Sequence, residues 1–245
     1  MLELDDPRWR QLDHAYGPAD NVPGLLRAVE LGEQELWDEL VPSLCYRGAV
    51  YTASYAALPH IVRIGSELTL GEQILYWCFV GAVADARDAA PIPPDLRAAY
   101  EEALAHAEAL TIACVGPGLD DATALDLLIA LAGIRRLPAI ADALRCLKEE
   151  EIVANCPRCD TSMRVSTADV PFVVEEEEDE ASLALGTSGS MSVPRPPHPD
   201  LRQLARLART AGLVDLEHRV DALAKGARCP ACRLEFSLVG GGDAG

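Results

Sequence analysis

Aromatic side chains are scarce in this chain: Phe, Tyr and Trp together make up 5% of its 245 residues. Large β-sandwiches fill their cores with aromatic and β-branched residues. Their scarcity, beside an abundance of Ala and Leu within an apolar content of 49%, argues for helices instead. No apolar run approaches the ~18 residues of a membrane-spanning helix. Bases are few as well, 21 Lys and Arg against 39 Asp and Glu, for a formal charge of −18. Such a field repels phosphate backbones and argues against sequence-blind nucleic-acid binding. The chain also has no Gly-rich phosphate loop, no Gly-x-Ser-x-Gly elbow and no His-Glu-x-x-His, which removes three common signatures of catalysis. The first six residues are acidic rather than cationic, unlike a secretory leader, so the expected location is a reducing cytoplasm.

Cysteine, by contrast, is plentiful, with eight residues. In a reducing compartment these are metal ligands or core residues rather than disulfides. Four fall in a matched pair of knuckles, Cys156-Pro157-Arg158-Cys159 and Cys229-Pro230-Ala231-Cys232. Two Cys-x-x-Cys pairs supply four thiolates, the ligand set of a closed, tetrahedral, structural Zn²⁺ site holding one ion, with no open position for catalysis. A redox dithiol of the thioredoxin type needs a strand before the motif and a helix after it. Here each knuckle reads as following a helix and preceding a strand-like run. Cys45, Cys78, Cys114 and Cys146 lie near apolar helical stripes without a grouped base and read as core.

Along the chain, Leu25, Leu26 and Val29 form a helical face that Asp20 or Asn21 can cap and Gly32 ends. Leu36, Trp37, Leu40, Val41 and Leu44 make a second stripe. A third runs through Val50, Tyr51, Ser54, Leu58 and Ile61, with a kink expected at Pro59. Ile74, Leu75, Cys78, Phe79 and Ala82 make a fourth. After Pro91, Pro93 and Pro94 a longer helix opens, and Gly116-Pro117-Gly118 stops it. Asp120 or Asp121 can cap the next, which reads as ending at Gly133. The pattern is mainly α: an antiparallel array over residues 1–150. It carries 24 acids against 11 bases, a balance of −13.

A helix pair ending in Asp-Ala-Leu occurs twice, at 128–144 and at 204–223, and each precedes a knuckle. Strand-like alternations follow the knuckles, through Met163 and Val165 and then Leu234, Phe236 and Leu238. Residues 151–239 therefore read as one four-cysteine module with an acidic disordered loop (175–199) and a helix pair (200–225) inserted. Val170, Phe172 and Val174 alternate like a strand. Residues 240–245 read as a disordered tail.

Trp37 and Trp77 suit a core. Tyr46, Arg47, Tyr51 and Tyr55, with His60 at the rim, form the candidate partner-binding face, since Tyr and Arg are favoured interface anchors. Glu102 and His106, four apart on one helix face, read as a surface ion pair.

The stretch Leu36 to Ile64, and within it Tyr46-Arg-Gly-Ala-Val-Tyr-Thr-Ala-Ser-Tyr-Ala-Ala-Leu-Pro-His-Ile61, resembles bacterial HEAT-like helical repeat proteins, a likeness that extends over residues 18–150. The resemblance implies a solenoid and a binding role, including immunity proteins that neutralise polymorphic toxins. The knuckles and their flanking strands resemble a zinc ribbon. Ribbon knuckles commonly place Gly after the second Cys, where the backbone turns left-handed. This chain has Asp160 and Arg233 there, and it splits the ribbon with 69 intervening residues (160–228).

The expected function is thus non-enzymatic binding of a protein partner, basic in charge, as in immunity-type neutralisation of a toxin domain. The alternative is a zinc-ribbon accessory of nucleic acid or transcription. It draws on seven bases against four acids in residues 201–239. No small-molecule substrate and no membrane contact are implied.

Overall fold

A computed structural model describes residues 1–176 and 198–239. The described residues are mainly helical, with nine α-helices and short strands, and none of those helices is long and apolar enough to cross a membrane. By its internal contacts the chain divides into two units. The first comprises Met1–Cys114 with Ile129–Pro138, and the second Val115–Leu128 with Ala139 onward. Residues 115–128 and 139–150 therefore group with the knuckle region.

In the first unit, a 3-10 turn (Pro7–Gln11) leads to a hairpin of β1 (Asp13–His14) and β2 (Gly17–Pro18), then α1 (Val22–Glu30) and α2 (Trp37–Leu44). A second small hairpin, β3 (Cys45–Tyr46) and β4 (Ala49–Val50), turns the chain into α3 (Thr52–Ser66). Then come α4 (Leu70–Ala84), β5 (Asp88–Ala89) and α5 (Pro94–Cys114). β4 pairs antiparallel with β3, Tyr46 opposite Ala49, and parallel with β5. Local chemistry sets the ends of these helices. The Glu72 carboxylate accepts from the backbone N–H and hydroxyl of Thr69 (3.1 and 2.6 Å) at the start of α4, a capping box. Pro94, whose missing N–H costs nothing there, opens α5.

α3 is the hub, packed by α1, α2, α4 and α5, which explains why nearly every one of its faces is buried. It runs as one helix through Pro59. Trp37 stacks on Tyr76 at 4.1 Å between centroids and meets Phe79 edge-on at 5.5 Å. Trp37 and Trp77 are core, as expected.

α6 (Asp121–Ile134) starts where Asp120 accepts from the Thr123 N–H (2.9 Å) and hydroxyl (2.8 Å). The sequence reading ended it at Gly133, but Gly133 lies within its last turn. A Cβ on Gly133 would sit 2.5 Å from the carbonyl oxygen of Gly81 in α4, and one on Gly81 would sit 2.6 Å from the Cα of Ala130. Those glycines are contact points between two backbones rather than a break.

In the second unit, α7 (Pro138–Glu149) is followed by β6 (Glu151–Asn155), the first knuckle, β7 (Ser162–Ser166) and β8 (Val173–Glu176), an antiparallel meander in the order β6-β7-β8. β6 corrects the expectation that a helix leads directly into the first knuckle. Glu150 takes a left-handed φ of 61° and ends the helix, and Ile152 then points inward and Val153 outward. α8 (Pro199–Thr210) and α9 (Val214–Lys225) pack as a hairpin, then β9 (Ala227–Arg228), the second knuckle and β10 (Glu235–Phe236). The order helix, helix, strand, knuckle, strand thus occurs twice. Met163, Val165, Ile152 and Phe236 are buried. The acidic loop expected at 175–199 lies, between 177 and 197, outside the described residues, as does the tail at 240–245.

Candidate metal centre and exposed anchors

The two knuckles share one local geometry. In the first, the Cys156 N–H donates to the Thr161 carbonyl (2.9 Å) and the Asp160 N–H to the Cys156 carbonyl (2.9 Å). In the second, the Cys229 N–H donates to the Leu234 carbonyl (2.8 Å) and the Arg233 N–H to the Cys229 carbonyl (3.0 Å). Asp160 and Arg233 are left-handed, with φ of 58° and 64°, at the places where the ribbon resemblance called for that turn. The turn aims backbone donors at sulfur. The Arg158 N–H donates to Cys156 Sγ and the Cys232 N–H to Cys229 Sγ, each at 3.5 Å.

Together the knuckles bring Cys156, Cys159, Cys229 and Cys232 into one cluster with all four Sγ atoms within 4.8 Å of one another. Across the knuckles, Cys156 lies 3.5 Å from Cys232 and Cys159 lies 3.6 Å from Cys229. Four thiolates ~2.3 Å from a tetrahedral zinc stand about 3.8 Å apart, so the cluster fits such an ion without rearrangement of the chain. Cys156 and Cys229 are buried, Cys232 half-buried and Cys159 exposed.

Thiol acidity follows the same asymmetry. The Thr161 hydroxyl, 3.1 Å from Cys159 Sγ, and the Thr161 backbone hold the Cys159 thiol down at about 6. At Cys232 a backbone hydrogen bond from Leu234 favours the thiolate, but burial and the three neighbouring sulfurs outweigh it and take the thiol up to about 11. Cys159 therefore ionises easily and Cys232 resists ionisation, and a bound cation would favour the thiolate at each. Burial pushes up the thiols of Cys45, Cys114 and Cys146; of the four cysteines expected in the core, Cys114 is buried while Cys45, Cys78 and Cys146 are half-buried.

Arg219, which the sequence reading grouped with the other bases, holds this unit together. Its guanidinium donates to the Leu147 carbonyl near the end of α7 and to the Thr167 carbonyl just past β7 (3.0 Å). No sequence signal distinguishes it from the exposed arginines of α8.

The candidate partner face divides. Tyr46 is 40% exposed, and Arg47 sits at the hairpin tip with its guanidinium 5.5 Å from the Tyr46 ring centroid. Arg47 and Gly48 have φ of 51° and 82°, the left-handed pair that a tight two-residue hairpin turn needs. Tyr51 is half-buried at the start of α3. Tyr55 and His60 are not part of an exposed face. Tyr55 packs edge-on against Tyr100 at 5.1 Å and donates its hydroxyl to the Ala90 carbonyl (2.5 Å). His60 donates from Nε2 to the Leu2 carbonyl (2.7 Å), and burial lowers its pKa. The centrality of α3 turned both inward. Tyr16, which sequence reasoning missed, is 65% exposed and meets Tyr46 edge-on at 6.0 Å. Its position before the Gly17-Pro18 turn was the available signal. Glu102 and His106 line a cavity of about 320 Å³ with Met1, Pro59, Val62 and Arg63 among its walls.

The fold and cluster define a mainly helical protein with a four-cysteine site suited to a metal ion. No protein-family model, curated protein or solved structure matches the chain.

Proposed function

We propose that this chain is a non-enzymatic, protein-binding scaffold whose second unit is fixed by one structural Zn²⁺ held by Cys156, Cys159, Cys229 and Cys232. The observation that carries the reading is the closed set of four sulfurs, all within 4.8 Å. Four thiolates leave no coordination position for water or substrate, so a bound ion would organise the chain rather than react. The helices of residues 1–150 are read as a HEAT-like array, supported by the serial packing of α1 on α2 and of α3 on α4 and α5. The partner is a basic protein, as in immunity-type neutralisation of a toxin domain. Support comes from the charge of −18, which would steer such a partner in, and from Tyr16, Tyr46 and Arg47, exposed side chains of the anchor type.

The test is purification of the tagged chain from its native cells at low and at high salt, with zinc measured in the product. The reading expects one zinc per chain and one stoichiometric basic protein whose retention weakens with salt and with Tyr46→Ala plus Arg47→Ala. Loss of all partners, or a partner indifferent to salt and to those substitutions, sinks it. A second reading, a zinc-ribbon accessory of nucleic acid, has one observation in its favour. Arg202, Arg206 and Arg209 are exposed on α8, and their spacing puts them along one side of the helix. It expects DNA or RNA in the same product, retained with a steep salt dependence.

A further inference from the structure

We infer that the four-cysteine cluster is a site of reversible oxidative modification by hydrogen peroxide, with Cys159 the point of attack and Cys229 its resolving partner. The inference rests on the metal reading above and concerns what the sulfurs do beyond holding an ion.

Two independent observations of geometry carry it. The first is access. Among the four ligands, Cys159 alone is exposed, while Cys156 and Cys229 are buried. An oxidant from solution therefore reaches one sulfur before the others. The second is pairing. Cys159 has Cys229 of the opposite knuckle 3.6 Å away, and Cys232 has Cys156 at 3.5 Å. A disulfide needs about 2.05 Å between sulfurs, so each cross-knuckle pair has to close by roughly 1.5 Å.

The chemistry balances with hydrogen peroxide as the named oxidant. The Cys159 thiolate attacks one peroxide oxygen, the S–O bond forms as the O–O bond breaks, and the leaving hydroxide takes a proton to become water. The sulfur is now a sulfenic acid, oxidised by two electrons. Cys229 Sγ attacks it, the S–S bond forms, the S–O bond breaks, and a second hydroxide leaves as water. A second peroxide joins Cys232 to Cys156 by the same steps. Four thiolates give up four electrons to two peroxides, four protons are consumed, four waters form and the cation is set free. Thiol reductants reverse the sulfur chemistry by exchange.

The pairing gives this site a property that a simple zinc knuckle lacks. Within-knuckle disulfides (Cys156 to Cys159, Cys229 to Cys232) would leave the two knuckles untied once the ion departs. Cross-knuckle disulfides keep them joined, so oxidation releases the ion and preserves the junction.

The experiment uses the full chain loaded with zinc and titrated with hydrogen peroxide. Zinc release is followed with a chromophoric chelator, and disulfides are mapped by mass spectrometry of unreduced digests. One zinc is expected per two peroxides. The Cys159–Cys229 peptide should appear first and Cys156–Cys232 later, both reversed with zinc re-uptake after reductant. Thr161→Val removes the hydroxyl beside Cys159 Sγ, leaves every ligand in place and should speed release severalfold, because a thiolate without that donor is more nucleophilic. Within-knuckle disulfides, zinc retained while Cys78 or Cys146 oxidises, or an unchanged rate in Thr161→Val each overturns the inference. A chain that takes up no zinc before any peroxide is added fails the metal reading itself, and the two failures are thereby told apart.

Discussion

Gly226 offers the sharpest test of how the second knuckle is built. It ends α9 with φ 81° and ψ −158°, a region open essentially to glycine alone, where any other residue costs ~1–3 kcal/mol. A Cβ there would also lie 2.1 Å from the carbonyl oxygen of Phe236. That oxygen belongs to β10, whose Phe236 is paired with Ala227 of β9, so it cannot retreat without loosening the pair that carries the knuckle. Overpacking of this kind adds about 1–3 kcal/mol, and Gly226→Ala should therefore destabilise the second unit by about 2–6 kcal/mol. Gly212, between α8 and α9, is the control. Its φ is 83°, but nothing lies within 4 Å of an added Cβ, so Gly212→Ala should cost only the left-handed penalty of about 1–2 kcal/mol. The assay is urea unfolding of both variants at fixed zinc and reductant, paired with zinc affinity by chelator competition. Gly226→Ala should lose more stability than Gly212→Ala and should also bind zinc more weakly, since the knuckle begins three residues on. Equal losses in the two variants would refute the close contact between Gly226 and β10.

Three further outcomes follow from the same geometry. Cys229→Ser should abolish stoichiometric zinc binding, and limited proteolysis should then cut within residues 139–239 while residues 1–114 keep their protection. Arg219→Met should destabilise by about 1.5–3 kcal/mol, the scale of hydrogen bonds from a charged donor, because the Leu147 and Thr167 carbonyls lose their partner; thermal melts at constant zinc measure it. Burial holds the His60 pKa below its ordinary value of 6.5, so below that pH the unfolded chain binds the extra proton first. The contribution of His60 is full above about 6.5 and is lost as pH falls through the folded pKa. Urea midpoints at pH 7 and 5 should show the loss, and His60→Gln should flatten it.

The four-cysteine cluster was legible because its information is local. Cys-Pro-x-Cys fixes a tight turn whatever surrounds it, and the left-handed positions at Asp160 and Arg233 follow from the turn itself. Helix starts at Asp120 and Pro94 were readable for the same reason. Elsewhere the deciding facts are not local. Gly133 looks like a break until Gly81 of another helix is placed against it. Tyr55 and His60 belong to a helix whose periodicity marks an apolar side, but only its position among α1, α2, α4 and α5 buries the remaining faces. β6 was hidden by length: five residues after an acidic helix end do not display a period, although the β-branched pair Ile152 and Val153 hinted at it. Tyr16 was overlooked because its neighbour Tyr46 lies thirty residues away in sequence.

The repeated order of helix hairpin, strand, knuckle and strand bears on what the cluster does. Each copy supplies two sulfurs, and neither pair alone completes a tetrahedral site. β9 and β10 are two residues each, far below the length at which a strand pair holds by itself, so the second knuckle depends on what it is tied to. Under the zinc reading, that tie closes the 69 residues from 160 to 228 into a loop. By the chain-entropy relation for a cross-link of that span, closure is worth about 4 kcal/mol against the unfolded chain. Cross-knuckle disulfides close the same loop and within-knuckle disulfides close none of it. Peroxide-treated chain should thus keep a folded second unit where chelator under reducing conditions unfolds it, and the difference in urea midpoint between those two zinc-free states measures how much of the unit's stability is the tie and how much is the metal.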